Sequence, residues 1–187
     1  MQAKIQQRLG DCKLQLNEKK TKIVYCKSSR RKEDYPEVTF DFLGFTFQPR
    51  ESVDKQGNRF TGFLPAISRK SMIRINEKIR SWQLTRHTNQ TLEHLAAEIN
   101  PVVRGWMTYY GKFYPTRLKW FMQTLNGRLA RWVMRKFEKY KNRFYPAQEW
   151  LAHIAEKEGL IFYHWKCGVL PRFTNKEKVS SQLIMVK

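Results

Sequence analysis

The 187-residue sequence predicts an α+β fold, in which a small helix-plus-strand portion is followed by a mainly α-helical, three-helix domain. Three observations carry that expectation. Between Val38 and Ile67, aromatic and β-branched residues alternate around turn residues, as strands require. From Ser68 onward apolar residues recur at helical spacing instead. Hydrophobic residues make up 41% of the chain, enough to bury a core at this length. The corresponding divisions are residues 1–67, residues 68–168 and a loosely ordered basic tail, 169–187.

Residues 2–12 place Ile5, Leu9 and Cys12 on one face of a short amphipathic helix. Lys22–Cys26, rich in β-branched and aromatic residues, is expected as a strand, and the charged run 27–37 as a surface loop. Val38–Gln48 reads as one strand interrupted at Leu43-Gly44, where a bulge or the close approach of another backbone is expected. A turn at Gln56-Gly57-Asn58 returns the chain as a strand over Phe60–Ile67, which makes a hairpin.

Ser68 is positioned to cap a helix with Met72, Ile75, Ile79 and Trp82 on its inner face. Thr91 is positioned to cap the next, with Leu92, Leu95, Ala96 and Ile99 inside. Pro101 removes a backbone donor, so a break or kink is expected there before the helix resumes over 102–114. In that stretch Val102, Trp106, Tyr109 and Phe113 form a core stripe opposite Arg104, Thr108 and Lys112. The following helix, about 116–141, is the most regular. Pro146 and Gly159 bracket a last one with Trp150, Leu151 and Ile154 inward.

Lysine and arginine number 36 against 16 acidic residues, a formal net charge of +20. Such self-repulsion is relieved by a polyanion, which makes nucleic acid the leading partner. No apolar run is long enough to span a bilayer and the N-terminus lacks an apolar signal core, so no membrane association and a cytoplasmic location are expected. Cys12, Cys26 and Cys167 are far apart and form no Cys-x-x-Cys pair, which fits reduced thiols.

The charge is patterned. Arg117, Arg128, Arg131, Arg135 and Lys139 fall in one stripe of the 116–141 helix, and Glu138 is the only acidic residue between Pro101 and Tyr145. A mixed-sign run would be a solvated face; a one-sign stripe repels itself and suits phosphate. With Arg104 and Lys112, and with Arg69, Lys70 and Arg74 in the earlier helix, these are the candidate nucleic-acid-binding residues.

Chemistry has no comparable signature. The aspartates Asp11, Asp34, Asp41 and Asp54 never occur as a pair that could hold catalytic magnesium. His87, His94, His153 and His164 lack zinc-site spacing, and each is expected to be a surface or satisfied histidine. No nucleophile elbow, phosphate loop or dinucleotide fingerprint is present. No catalytic residue, metal ligand or cofactor is therefore assigned to this chain.

Four blocks, in order, resemble a known family. They are Leu14-Gln15-Leu16-Asn17-Glu18-Lys19-Lys20-Thr21-Lys22, Phe42-Leu43-Gly44-Phe45-Thr46-Phe47, Ser68-Arg69-Lys70 opening a helix, and Ile99-Asn100-Pro101 through Arg104-Gly105-Trp106 to Tyr109-Tyr110. Over about Lys4 to Gly168 they resemble the end of the palm and the maturase (thumb) region of bacterial group II intron reverse transcriptases. Lys13 stands where that pattern usually has glycine.

The resemblance implies a palm remnant over 1–67, a helical maturase or thumb domain over 68–168, and group II intron RNA, or an RNA/DNA duplex, as partner. It implies that Arg104, Lys112, Arg117, Arg128, Arg131, Arg135 and Lys139 grip RNA to assist splicing, and that Phe42, Leu43 and Gly44 lie near the primer in a complete enzyme. Magnesium is implied only for that complete enzyme, whose Tyr-x-Asp-Asp block lies upstream of the segment resembled here. The expectation is an RNA-binding maturase-type fragment of a mobile element, inactive alone. The alternative is one part of an RNA-directed DNA polymerase completed by a separately supplied N-terminal fingers and palm segment.

Overall fold

The computed structural model describes residues 2–17, 21–30 and 33–172. Helix α1 (Gln2–Asp11) is followed by strands β1 (Phe40–Phe42), β2 (Phe45–Val53) and β3 (Arg59–Ile67), then α2 (Arg69–Ser81), α3 (Leu92–Tyr110), α4 (Pro115–Lys136), α5 (Phe144–Lys157) and the single turn α6 (Tyr163–Lys166). Short 3-10 turns lie at Leu84–Arg86 and Glu138–Tyr140. The strands form one antiparallel sheet in the order β1-β2-β3, so the architecture is α+β with a mostly helical C-terminal region. The chain divides into two units, one of Met1–Asp41 with Phe47–Leu64, the other of Phe42–Thr46 with Pro65 onward.

In the first unit the β2–β3 turn forms as its residues dictate. The Asp54 carboxylate accepts backbone N–H bonds from Gln56 and Asn58 at 2.8 and 2.9 Å, and Gly57 takes a φ of +87°. An aspartate bonding its own turn and a glycine in the left-handed region are the usual devices of such a reversal. Lys22–Cys26, expected as a strand, is not one. It has no regular structure; the Tyr25 N–H donates to the Glu37 carbonyl, and the Tyr25 and Tyr35 rings lie tilted against one another with centres 4.4 Å apart. β-branched residues favour extended backbone, but a strand also needs a ladder partner.

Val38–Gln48 also differs from expectation. It is two strands joined by a two-residue turn, in which Leu43 and Gly44 both have positive φ, 48° and 80°. That is the signature of the tight turn whose twist matches paired antiparallel strands. The expected close approach is present: a Cβ on Gly44 would lie 2.9 Å from the Ser71 hydroxyl and 3.1 Å from that of Tyr110.

The second unit contains the core. Ser68 caps α2 by accepting from the Ser71 N–H at 3.2 Å, and Thr91 caps α3 by accepting from the His94 N–H at 3.4 Å. Ile75 and Ile79 of α2, Leu95, Ile99 and Val103 of α3, Leu125 and Leu129 of α4, Leu151 of α5 and Phe162 are all buried in one cluster.

Of the break or kink expected at Pro101, the break does not form: α3 is continuous through it. An interior proline costs about 3 kcal/mol. Leu95 and Ile99 before it and Val103 and Met107 after it are buried on one stripe, each stabilising by roughly 1.5–3 kcal/mol. The burial outweighs the lost bond, and the proline ring sits on the exposed side.

Beyond Pro101 the fully buried residues are Val103 and Met107, of the apolar stripe that adjoins Val102, Trp106, Tyr109 and Phe113 in the sequence pattern. Val102 and Trp106 are half-buried, whereas Tyr109 and Phe113 are half-exposed. Helix α4 ends at Lys136 rather than near 141, because the chain turns there into the 138–140 segment. Of the expected tail, Val169 and Pro171 are buried, and 173–187 lie outside the described residues.

Candidate nucleic-acid interface

Helix α4 buries Leu118, Met122, Leu125, Asn126, Leu129, Trp132 and Val133, which fixes which side faces outward. Its outward positions include Arg117, Thr124, Arg128, Arg131 and Arg135, which fall within about 60° of arc at 100° per residue. The helix contains no acidic residue. Lys139 lies past its end in a 3-10 turn, its ammonium 5.7 Å from the Tyr140 ring centre, so it does not continue the stripe as expected.

Packing of α2 against α4 adds a cation that the sequence did not connect with the stripe. Partial burial, then the like charges of Arg131 and Arg80, hold the Arg128 guanidinium below its ordinary pKa. Arg131 is itself held in place: its Nη1 donates to the Gly127 carbonyl at 3.3 Å, and its guanidinium lies 5.6 Å from the Phe144 ring centre. A positioned guanidinium loses less side-chain entropy when it meets an anion.

Beside this cluster an open groove of about 490 Å³ is lined by Thr85, Arg131, Met134, Arg135, Glu138, Lys141 and Asn142. Within it Glu138 and Lys141 are paired at 2.9 Å, so the uncompensated charge comes from Arg131 and Arg135. Thr85, Lys141 and Asn142 have no periodic signal of their own and were not foreseen. Lys136, next in sequence to Arg135, is turned to structural use and donates to the Thr88 and Gln90 carbonyls.

The other expected residues are distributed over α2 and α3. Arg104, on the exposed side of α3, has its guanidinium 5.2 Å from the Tyr163 ring centre, and the ammonium of Lys112 lies 5.9 Å from the Phe113 ring centre. Arg69, Lys70 and Arg74 are exposed on α2. Arg69 and Lys70 occupy its first turn, which has no acidic residue, so the helix dipole adds to their positive field there.

The neighbouring motif residues are structural. The Asn100 side chain donates to the Ile161 carbonyl at 3.0 Å and accepts from the Tyr163 N–H at 2.8 Å. Trp106 stacks on Trp82 with ring centres 5.6 Å apart. Phe45 is ringed by Tyr109, Tyr110 and Phe113 at 5.3–5.5 Å. Phe42 and Leu43 are exposed, while Gly44 is held beneath Ser71, whose hydroxyl donates to its carbonyl at 3.0 Å.

A polar hub invisible in the sequence lies between α4 and α6. Asn126 is fully buried; its Nδ2 donates to Gln123 Oε1 and to the Val169 carbonyl, both at 3.0 Å. Its Oδ1 accepts from Trp165 Nε1, an obligate donor, at 2.8 Å, which fixes the amide orientation. The 2.8 Å contact from the same oxygen to His164 Nε2 therefore requires that nitrogen to carry the proton. His164 is buried, and burial lowers its pKa to about 3. Its Nδ1 has no hydrogen-bond partner among the described residues.

Among the described residues no three His, Cys, Asp or Glu side chains come together to hold a metal ion. No described helix is long and apolar enough to cross a membrane.

No curated protein and no solved structure matches the chain. A family model does match. Residues 72–150, which run from the first turn of α2 to the middle of α5 and include the whole arginine stripe, match the group II intron, maturase-specific domain.

Proposed function

We propose that this chain acts as a group II intron maturase, binding structured intron RNA through the basic face of α4 and so favouring the folded, splicing-competent RNA. One observation carries the reading: the acid-free, outward-facing stripe of α4 lies inside the segment that matches the maturase-specific domain. Arg128, Arg131 and Arg135, with Arg80 beside them, supply phosphate contacts, and Arg69, Lys70, Arg74, Arg104, Lys112 and Arg117 extend the positive field. Such contacts give affinity and register without base identity.

The test is binding of a structured intron RNA across a range of salt concentrations. Substituting Arg128, Arg131 and Arg135 together by Gln should weaken binding and reduce the slope of log affinity against log salt by roughly two to three units. Unchanged affinity in a folded variant would overturn the proposal.

The finer reading places the maturase segment in an RNA-directed DNA polymerase. Its support is the Phe42–Phe47 block, whose turn is fastened to α2 and α3 beside the maturase core. Primer extension by the chain mixed with a fingers and palm segment tests it. Absence of extension from a mixture that forms a complex would leave the RNA-binding reading alone.

A further inference from the structure

Trp120 is the most exposed aromatic residue among those described, with 70% of its surface open. Isolated apolar residues at a surface are ordinary, so exposure by itself decides nothing. Its position on α4 does. Trp120 and Arg131 are eleven residues apart, about 20° from one another around the helix axis, and Arg117 and Arg135 are each within about 60°. The indole therefore stands on the same outward face as the arginine stripe, roughly one turn from Arg117 and 16 Å along the axis from Arg131. The adjacent position along that line is Thr124, small and exposed.

What would cover such a ring follows from the charge around it. Helix α4 carries six cationic side chains and no carboxylate, so a protein surface docking there would have to be strongly acidic. RNA supplies the anion density and a flat π-surface together. Aromatic side chains beside a cationic track stack on unpaired bases with little regard to sequence.

Building on the maturase reading above, we propose that Trp120 is a stacking platform for an unpaired base of the bound RNA, at one end of the arginine stripe. The stripe holds backbone phosphates and is indifferent to pairing. Trp120 adds a preference for loops, bulges and junctions, whose bases can be splayed out, over uninterrupted duplex.

The experiment compares the full chain with W120A and W120F. Each is titrated against a labelled RNA hairpin with an unpaired loop and against a fully paired duplex of equal length. W120A should lose roughly ten-fold in affinity for the hairpin and keep its duplex affinity, while W120F retains most of the hairpin affinity. The salt slope should be unchanged, since the indole carries no charge.

Equal losses on both RNAs, or no loss on either, would overturn the proposal while leaving the maturase reading intact. It is overturned equally if W120A alters only the sedimentation of the free protein, which would mark Trp120 as a protein contact. If the wild-type chain binds neither RNA, the maturase reading fails and this inference fails with it.

Discussion

The Tyr109 hydroxyl donates a 2.9 Å hydrogen bond to the main-chain carbonyl of Leu43, 66 residues earlier. It fastens the end of α3 to the β1–β2 turn, and Gly44 completes the junction by lying where no side chain fits. Gly44→Ala should destabilise by about 2 kcal/mol, from its positive φ and from displacing the Ser71 and Tyr110 hydroxyls. Tyr109→Phe removes one half-exposed bond and should cost about 1 kcal/mol or less. Urea unfolding of the two variants checks both magnitudes and their order.

Asn100 clamps residues 161–163 to α3 by donating to one backbone group and accepting from another. Asn100→Ala leaves an N–H and a C=O short of partners and should cost about 2 kcal/mol. Hydrogen exchange gives the sharper readout: the Tyr163 amide should lose its protection well before the amides of α4.

Asn126 is more consequential. Its replacement by Ala deprives the Trp165 indole N–H, the His164 Nε2–H and the Val169 carbonyl of partners together, at full burial. At about 1–3 kcal/mol for each orphaned group, the expected loss is upwards of 3 kcal/mol. Thermal unfolding measures it. A melting temperature within a degree or two of the parent would mean that water replaces the amide and that the hub is not held by Asn126.

His164 predicts an acid limb in the stability profile. Its folded pKa of about 3 lies below the ordinary 6.5, so the unfolded chain takes up a proton that the folded chain refuses. Stability is complete above about pH 6.5 and falls as pH drops toward 3, at about 1.4 kcal/mol for each pH unit. Roughly 2 kcal/mol should be gone by pH 5. In His164→Gln, which keeps a donor but cannot titrate, the limb should flatten between pH 6.5 and 5.

The sequence made the local devices visible and hid those that depend on distant partners. Ser68 and Thr91 announce helix starts because capping is a contact within three residues. The arginine stripe of α4 was visible because all its members share one helix. Arg80 was not, since only the packing of α2 on α4 brings it near Arg128. Asn100 stood out only as part of a motif and Asn126 not at all; their structural roles exist only once residues 161–169 lie against them. The Leu43-Gly44 turn was concealed because closely spaced phenylalanines flank it on both sides, and leucine is a poor marker of a positive φ. At Pro101 the break that a local rule allows is overridden by burial on both sides of it.

The crowding of Arg80, Arg128 and Arg131 acts on the folded protein as well as on its ligand. Folding compresses like charges that the unfolded chain keeps apart, so the protein resembles a loaded spring that counterions relax. Its melting temperature should climb with added salt, and climb with heparin or an unrelated RNA, even while salt weakens the grip on any one RNA. Thermal stabilisation therefore reports charge rather than identity. On the proposed function, discrimination of one intron RNA from other polyanions would then fall to groups that charge alone cannot satisfy, and the protein would be sturdiest with a polyanion in place.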